Sequence, residues 1–290
     1  MITTLLLSIY ILLLQSDFCW TFGYTNLDGP SVWNGTCRIG RRQSPINFKL
    51  SSVVWDDTLP TIQFTNYDKI SGSLFFENNG ITLAAHGFTN WGANRPYISG
   101  GALQGDYVLE SMHFHWGQQN SSGSEHTIGD LHYPVELHLV HKKRGHSDGV
   151  KLRSDSLAVL AIFISFDDNS KGLVALEEAI TAVVDNPGRS SKQKTKYNLM
   201  DLLPSTLDSF FTYEGSLTTP NCEEAVIWHV FTEPLYSTSA MMLLILVALR
   251  SSKPVVMPKE ISDKPNSTNQ KCFDSSAGKQ LPSGTTIIRT

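Results

Sequence analysis

His113 and His115 stand one residue apart in "SMHFHWG" (111–117), interleaved with Met112, Phe114 and Trp116. Successive side chains of a strand point to opposite faces, so Ser111, His113 and His115 share one face and the apolar residues take the other. A second run, "VELHLVH" (135–141), repeats the arrangement, with Glu136, His138 and Val140 on one face and Leu137, Leu139 and His141 opposite. If the two strands pair side by side, three imidazoles converge. Three neutral imidazoles suit a zinc ion with a fourth position open to water, the pattern of a catalytic rather than a structural site. Glu136, two residues from His138, is placed to accept a ring N–H from a ligand and fix its tautomer. Any single one of the nine histidines is better read as a hydrogen-bonded core residue; the paired spacing sets these three apart. His86, His126, His132, His141, His146 and His229 lack that spacing and default to structural or exposed roles.

The rest of the chain supplies strands to carry such a site. Short apolar runs such as "LAVLAIFISF" (157–166) and "AVIWHVF" (225–231) alternate with Gly, Pro, Asn and Ser clusters, a strand-rich pattern without internal repeats. Helix signals are few. "KGLVALEEAITAVV" (171–184) places Leu173, Leu176, Ile180 and Val183 or Val184 at helical spacing, and Pro187-Gly188 ends it. A second helix is expected over roughly 239–249, where "AMMLLILVAL" (240–249) is too short to span a bilayer and reads as a buried helix. From about Ser251 the composition shifts to Ser, Lys, Pro, Asn and Gly, with few apolar anchors before Ile287 and Ile288, so most of this segment reads as loosely ordered. "GHSDG" (145–149) formally matches a nucleophile elbow, but "KKR" precedes it and "VKLRSD" follows, so Ser147 reads as part of a solvated loop.

With 290 residues, 41% hydrophobic and 17% charged, the chain can fill one large core as one domain, or one domain plus a tail. The formal charge of -4 lacks the basic excess that nucleic acid requires. Residues 1–19 contain the apolar run Leu5 to Leu14, which suits a signal peptide better than a membrane span and points to a secreted, extracellular protein. Three sequons, at Asn34, Asn120 and Asn266, fit export and glycosylation. Of four cysteines, Cys19 borders the leader, leaving Cys37, Cys222 and Cys272; an exported domain favours a disulfide, and residue spacing does not choose the pair.

The motifs "GRRQSPIN", "HFHWG", "GSEHTIGD", "ELHLVH" and "GSLTTP" together resemble the α-class carbonic anhydrases, in that family's order and roughly its spacing, from about Phe22 to Arg250. The resemblance implies a mostly β fold: a large central mixed, predominantly antiparallel twisted sheet with a few peripheral helices and a metal at the base of a cone-shaped cleft. It implies a domain over 20–253 and a divergent segment over 254–290. By position, His113, His115 and His138 would be the Zn2+ ligands, Glu136 a carboxylate behind them, and Thr218 a hydroxyl donating to Glu125. Thr219 would help hold bicarbonate; Val140, Val159, Leu217, Val226 and Trp228 would form the apolar wall for CO2; Tyr24 and Asn79, with Thr219, would order solvent. The implied reaction is reversible hydration of CO2 to bicarbonate and a proton: zinc lowers the pKa of its water to about 7 and the hydroxide attacks CO2, chemistry for which carbonic anhydrase is itself the reference case. The resemblance also implies a Cys37–Cys222 disulfide and a cis Ser44-Pro45 peptide.

Three departures stand out. "ENNGITL" (77–83) puts Ile81 where fast members of the family carry a proton-shuttling His, with His86 a substitute five residues on. Ser111 replaces a Gln that commonly bonds a ligand histidine, which implies weaker metal affinity. After "ALRSS" the family's Asn-x-Arg-x-x-Gln-Pro run is missing, so either another segment closes the core or the fold is less stable. The altered C-terminus and the missing shuttle motivate a noncatalytic secreted binding or matrix protein as the alternative to a zinc hydratase; retention of all three histidines with Thr218 and Glu125 favours the hydratase. A generic zinc esterase is disfavoured by the narrow valine-lined wall.

Overall fold

The alternating apolar runs form the frame of one large sheet. A computed structural model describes residues 22–117, 119, 121–147, 149–184, 189–194, 198–250, 272–273, 280–281 and 286–289. The sheet has 13 strands. They are β1 (Val53–Trp55), β2 (Ile62–Thr65), β3 (Ser73–Asn78), β4 (Leu83–His86), β5 (Tyr97–Gly100), β6 (Tyr107–Trp116), β7 (Val135–Lys143), β8 (Leu157–Phe166), β9 (Arg189–Lys194), β10 (Phe210–Gly215), β11 (Val226–Phe231), β12 (Leu235–Ser237) and β13 (Thr286–Arg289). The main path runs β9-β3-β4-β6-β7-β8-β11-β10-β13-β1. Pairing is antiparallel except that β8 runs parallel to β11 and β12, and β13 to β1. This is the expected mostly β, mixed and predominantly antiparallel architecture.

The two faces of the sheet bury different things. Met112, Phe114 and Trp116 of β6 pack with Leu137 and Leu139 of β7 and Leu160 and Ile162 of β8 in the larger core. The opposite face carries the histidines and a second cluster built from Val159, Phe211, Tyr213, Val226 and Trp228. A β-bulge between Leu109 and Ser111 makes this division possible. Leu109 and Met112 are three residues apart and would face opposite ways on a regular strand; the extra residue, Glu110, lets both enter the larger core and leaves His113 and His115 on the other side.

Helices cover the larger core. The run 171–184 is less helical than its spacing predicts: Leu173 takes a left-handed conformation (φ 64), a single 3-10 turn covers Val174–Leu176, and the α-helix α1 spans only Glu177–Thr181. The spacing still identifies the buried residues, since Leu173, Leu176, Ile180, Val183 and Val184 all enter the core. Helix α2 (Ser239–Arg250) packs Met241, Met242 and Ile245 into the same core. Among the described residues no helix is long and apolar enough to cross a membrane.

The divergent segment over 254–290 does not lie wholly apart from the sheet. Its residues 286–289 form β13, inserted between β10 and β1, with Ile287 and Ile288 buried. Ile288 pairs with Phe211 on one side and Trp55 on the other, so the two apolar residues at the end of a polar stretch extend the core. The leader over 1–19 lies outside the described residues.

Candidate metal centre

Register places the histidines. His113 of β6 lies directly opposite His138 of β7, and His115 lies opposite Glu136, so the residues predicted to share a face do so across one antiparallel pair. The ring centroids are 4.9 Å apart for His113–His115, 5.1 Å for His113–His138 and 4.5 Å for His115–His138. Each ring offers a nitrogen within 4.8 Å of the others. His115 Nε2 is buried without a hydrogen-bond partner, and Nδ1 of the same ring lies 3.2 Å from Glu125 Oε1. Burial, reinforced by the charge of His138 and His86 and opposed by Glu136, lowers His113 to about 3. Burial also lowers His115, with help from its histidine neighbours, and lowers His138 against the pull of Glu136. All three are therefore neutral near pH 7, the form a metal needs. Three converging neutral imidazoles with an orphaned ring nitrogen fit a zinc ion.

A second group, His126, Glu136 and His138, also brings three candidate ligand atoms together, but its atoms are already engaged. Glu136 Oε1 lies 2.6 Å from His138 Nε2 and 2.7 Å from His126 Nδ1, while Oε2 accepts the His126 backbone N–H at 2.8 Å. Burial would raise the Glu136 carboxyl, yet the two histidines, by charge and hydrogen bonding, hold it well below the usual carboxylate range. An ionised Glu136 accepting from His138 Nε2 leaves Nδ1 as the ligand atom of that ring. The chain continues outward: the Tyr213 hydroxyl bridges His126 Nε2 (2.7 Å) and Ser44 Oγ (2.8 Å). Sequence reasoning missed His126, Tyr213 and Ser44 as supports. They lie 10 to 169 residues from their partners, and only the motif "GSEHTIGD" hinted at His126.

Glu125 faces the triad from the other side. Burial first, then the nearby Glu136 charge, raise its carboxyl well above the ordinary range, while the Thr218 hydroxyl pulls the other way. Neither carboxylate oxygen is closed by a full hydrogen bond, so Thr218 approaches it only loosely. Thr218 and Thr219 sit on the connection after β10, tied down by Cys222 N–H to Thr219 O (2.8 Å) and Leu217 N–H to Glu223 O (3.0 Å). The Cys37–Cys222 disulfide fastens this connection to the N-terminal segment. Ser44 and Ser216 bond reciprocally nearby, and the Ser44-Pro45 peptide is cis, as the family resemblance implied.

A cavity of about 220 Å³ opens beside the triad. His113, His115 and Thr219 line it with Tyr24, Asn79 and Phe22. Ile81 and His86 also face it, His86 exposed at the end of β4 and opposite Ser111. Burial and the Glu125 charge raise the Tyr24 phenol, which stays protonated. Val140, Val159, Leu217, Val226 and Trp228 fall in one apolar cluster on the triad's face. Asn34 is exposed; Asn120 and Asn266 lie outside the described residues.

Fold, triad and carboxylate support together define a mostly β scaffold with a histidine site that could hold a metal, and comparison with known proteins is more specific. The chain belongs to the eukaryotic-type carbonic anhydrase family, whose model matches residues 28–263. It is 39% identical over 229 residues to putative carbonic anhydrase 5 of Caenorhabditis elegans, covering 77% of this chain and 71% of that protein. It is 36% identical over 219 residues to human carbonic anhydrase 7, covering 74% and 80%. To rat carbonic anhydrase 4 it is 34% identical over 216 residues, covering 73% and 67%.

Proposed function

We propose that this protein catalyses the reversible hydration of CO2 to bicarbonate and a proton, with His113, His115 and His138 holding zinc. The observation that carries the reading is the convergence of three neutral imidazoles, those of His115 and His138 buried, beside an open cavity, with the apolar cluster on the same face of the sheet. A zinc ion there supplies Lewis acidity that makes a water nucleophilic near neutral pH, an effect for which carbonic anhydrase is the reference case. Glu136 fixes the proton of His138 on Nε2 and so keeps the Nδ1 lone pair free. Positive charge at the triad favours the ionised form of Glu125; ionised, it accepts from the Thr218 hydroxyl and turns that oxygen's lone pair toward the reacting water. The apolar wall of Val140, Val159, Leu217, Val226 and Trp228 offers a nonpolar, weakly hydrated molecule a place that polar solvent does not compete for. Thr219 lines the same cavity and offers a hydroxyl to the anionic product. The leader-like N-terminus, the sequons and the disulfide support a secreted location.

The noncatalytic reading draws on the altered C-terminus and on Ile81 in the cavity wall, which cannot carry a proton away. Chelation separates the two. Hydration activity that disappears with a zinc chelator and returns with added zinc supports the hydratase; a zinc-replete protein without hydration activity supports the binding protein.

A further inference from the structure

A second concavity, of about 640 Å³, lies at the start of β6 and the end of β7 and shares no lining residue with the cavity at the triad. Its walls carry Arg95, Lys142, Lys143 and Arg144, three of them from the "KKR" run (142–144) that the metal site does not use. Asp106 and Glu110 are the acids on the same walls and Asp155 pairs with Lys143, so four cations meet three carboxylates before His146 is counted. The cations are held in place by ion pairs: Arg95 Nη2 to Glu110 Oε1 at 2.6 Å, Arg144 Nε to Asp106 Oδ2 at 3.3 Å, and Lys143 with Asp155. The Arg144 and Asp106 side chains are 55% and 42% exposed, and such pairs are worth little in water, so a stronger anion exchanges for the carboxylate at small cost. His146 Nε2 is buried without a hydrogen-bond partner at the same place.

We propose that this groove binds a sulfated polysaccharide chain. The cations are spread along a strand end and the following turn and are not focused on one buried point, which suits a repeating polyanion better than a single small anion. Lys/Arg-rich runs such as this one occur in heparin and nucleic-acid patches alike. Nucleic acid fits less well. Tyr97 has its ring face covered by the Arg144 guanidinium at 4.6 Å and gives bases no stacking platform. The inference rests on none of the residues assigned to zinc.

The test uses the full chain with heparin as probe, by calorimetry, against Lys142→Glu/Arg144→Glu, with Lys69→Glu as a surface control. The wild type binds, and its affinity falls about tenfold or more between low and physiological salt, as expected for a few released counterions. The double variant loses about tenfold or more in affinity, a shift of about 1.4 kcal/mol, while Lys69→Glu changes little. Lys142→Gln/Arg144→Gln, with an unchanged melting curve, gives an intermediate loss and guards against misfolding. Absence of heparin binding by the folded wild type at low salt, or equal binding by the double variant, overturns the proposal. Equal affinity for desulfated heparin or for single-stranded DNA of matched charge overturns the assignment to sulfated chains.

Discussion

Replacing Glu136 with Gln isolates a fully buried support of the metal site. Glu136 is fully buried and takes three contacts: from two ring nitrogens through Oε1 and from the His126 backbone N–H through Oε2. A glutamine has one acceptor oxygen. If that oxygen faces the rings, the new NH2 meets the His126 N–H, donor against donor. If it faces the backbone, the NH2 meets His138 Nε2, which must then accept and move its own proton to Nδ1, the nitrogen needed for the metal. Either orientation loses one or two charge-assisted bonds, at about 1.5–3 kcal/mol each, so folding stability falls by about 3 kcal/mol. Zinc affinity falls about 10–100-fold, the usual effect of losing such a carboxylate. Urea unfolding of the metal-free protein reads the first quantity and competition with a chelator the second. A Glu136→Gln variant that binds zinc within about twofold of wild type would refute the claim that the Glu136 carboxylate strengthens His138 as a ligand.

Three further outcomes are expected. Turnover is limited by proton release because Ile81 cannot accept a proton, so added imidazole accelerates the wild type and Ile81→His reduces that dependence; buffer-indifferent wild-type rates contradict this. Cys37→Ser with Cys222→Ser opens a link across a sequence separation of 185, and chain entropy sets the loss at about 5 kcal/mol or less, measured by urea unfolding; a change near zero would mean the connection carrying Thr218 is held by its hydrogen bonds alone. His141 and His229 are buried and lowered from 6.5 to about 3, burial being the main cause, so the unfolded chain binds more protons below pH 6.5. Their contribution to stability is complete above that value and is lost as pH falls toward 3, at about 1.4 kcal/mol per pH unit per histidine; a flat stability profile from pH 6.5 to 4 excludes it.

The residues that alternate were the most legible part of the sequence. Period-2 patterning at 111–116 and 135–141 names the buried and site-facing sides correctly because the larger core accepts only one of them. Helical spacing at 171–184 identifies the buried residues but overstates the helix, since packing of Leu173 in a left-handed conformation overrides local preference. The Cys37–Cys222 pair came from family resemblance, because spacing alone allows several pairings. The His126–Tyr213–Ser44 chain was illegible for a similar reason: it joins single polar residues from distant segments, and nothing local marks them. The strand at 286–289 has only two strong apolar anchors, and its place between β10 and β1 is a tertiary fact.

The most direct test of the account is stopped-flow CO2 hydration on the purified protein, measured against zinc content over a series of samples from metal-free to fully loaded. The account predicts a rate that rises in proportion to zinc and levels off near one ion per chain, and that vanishes in His113→Ala at the same zinc concentration. A rate that stays at the uncatalysed level while zinc reaches one per chain would contradict it.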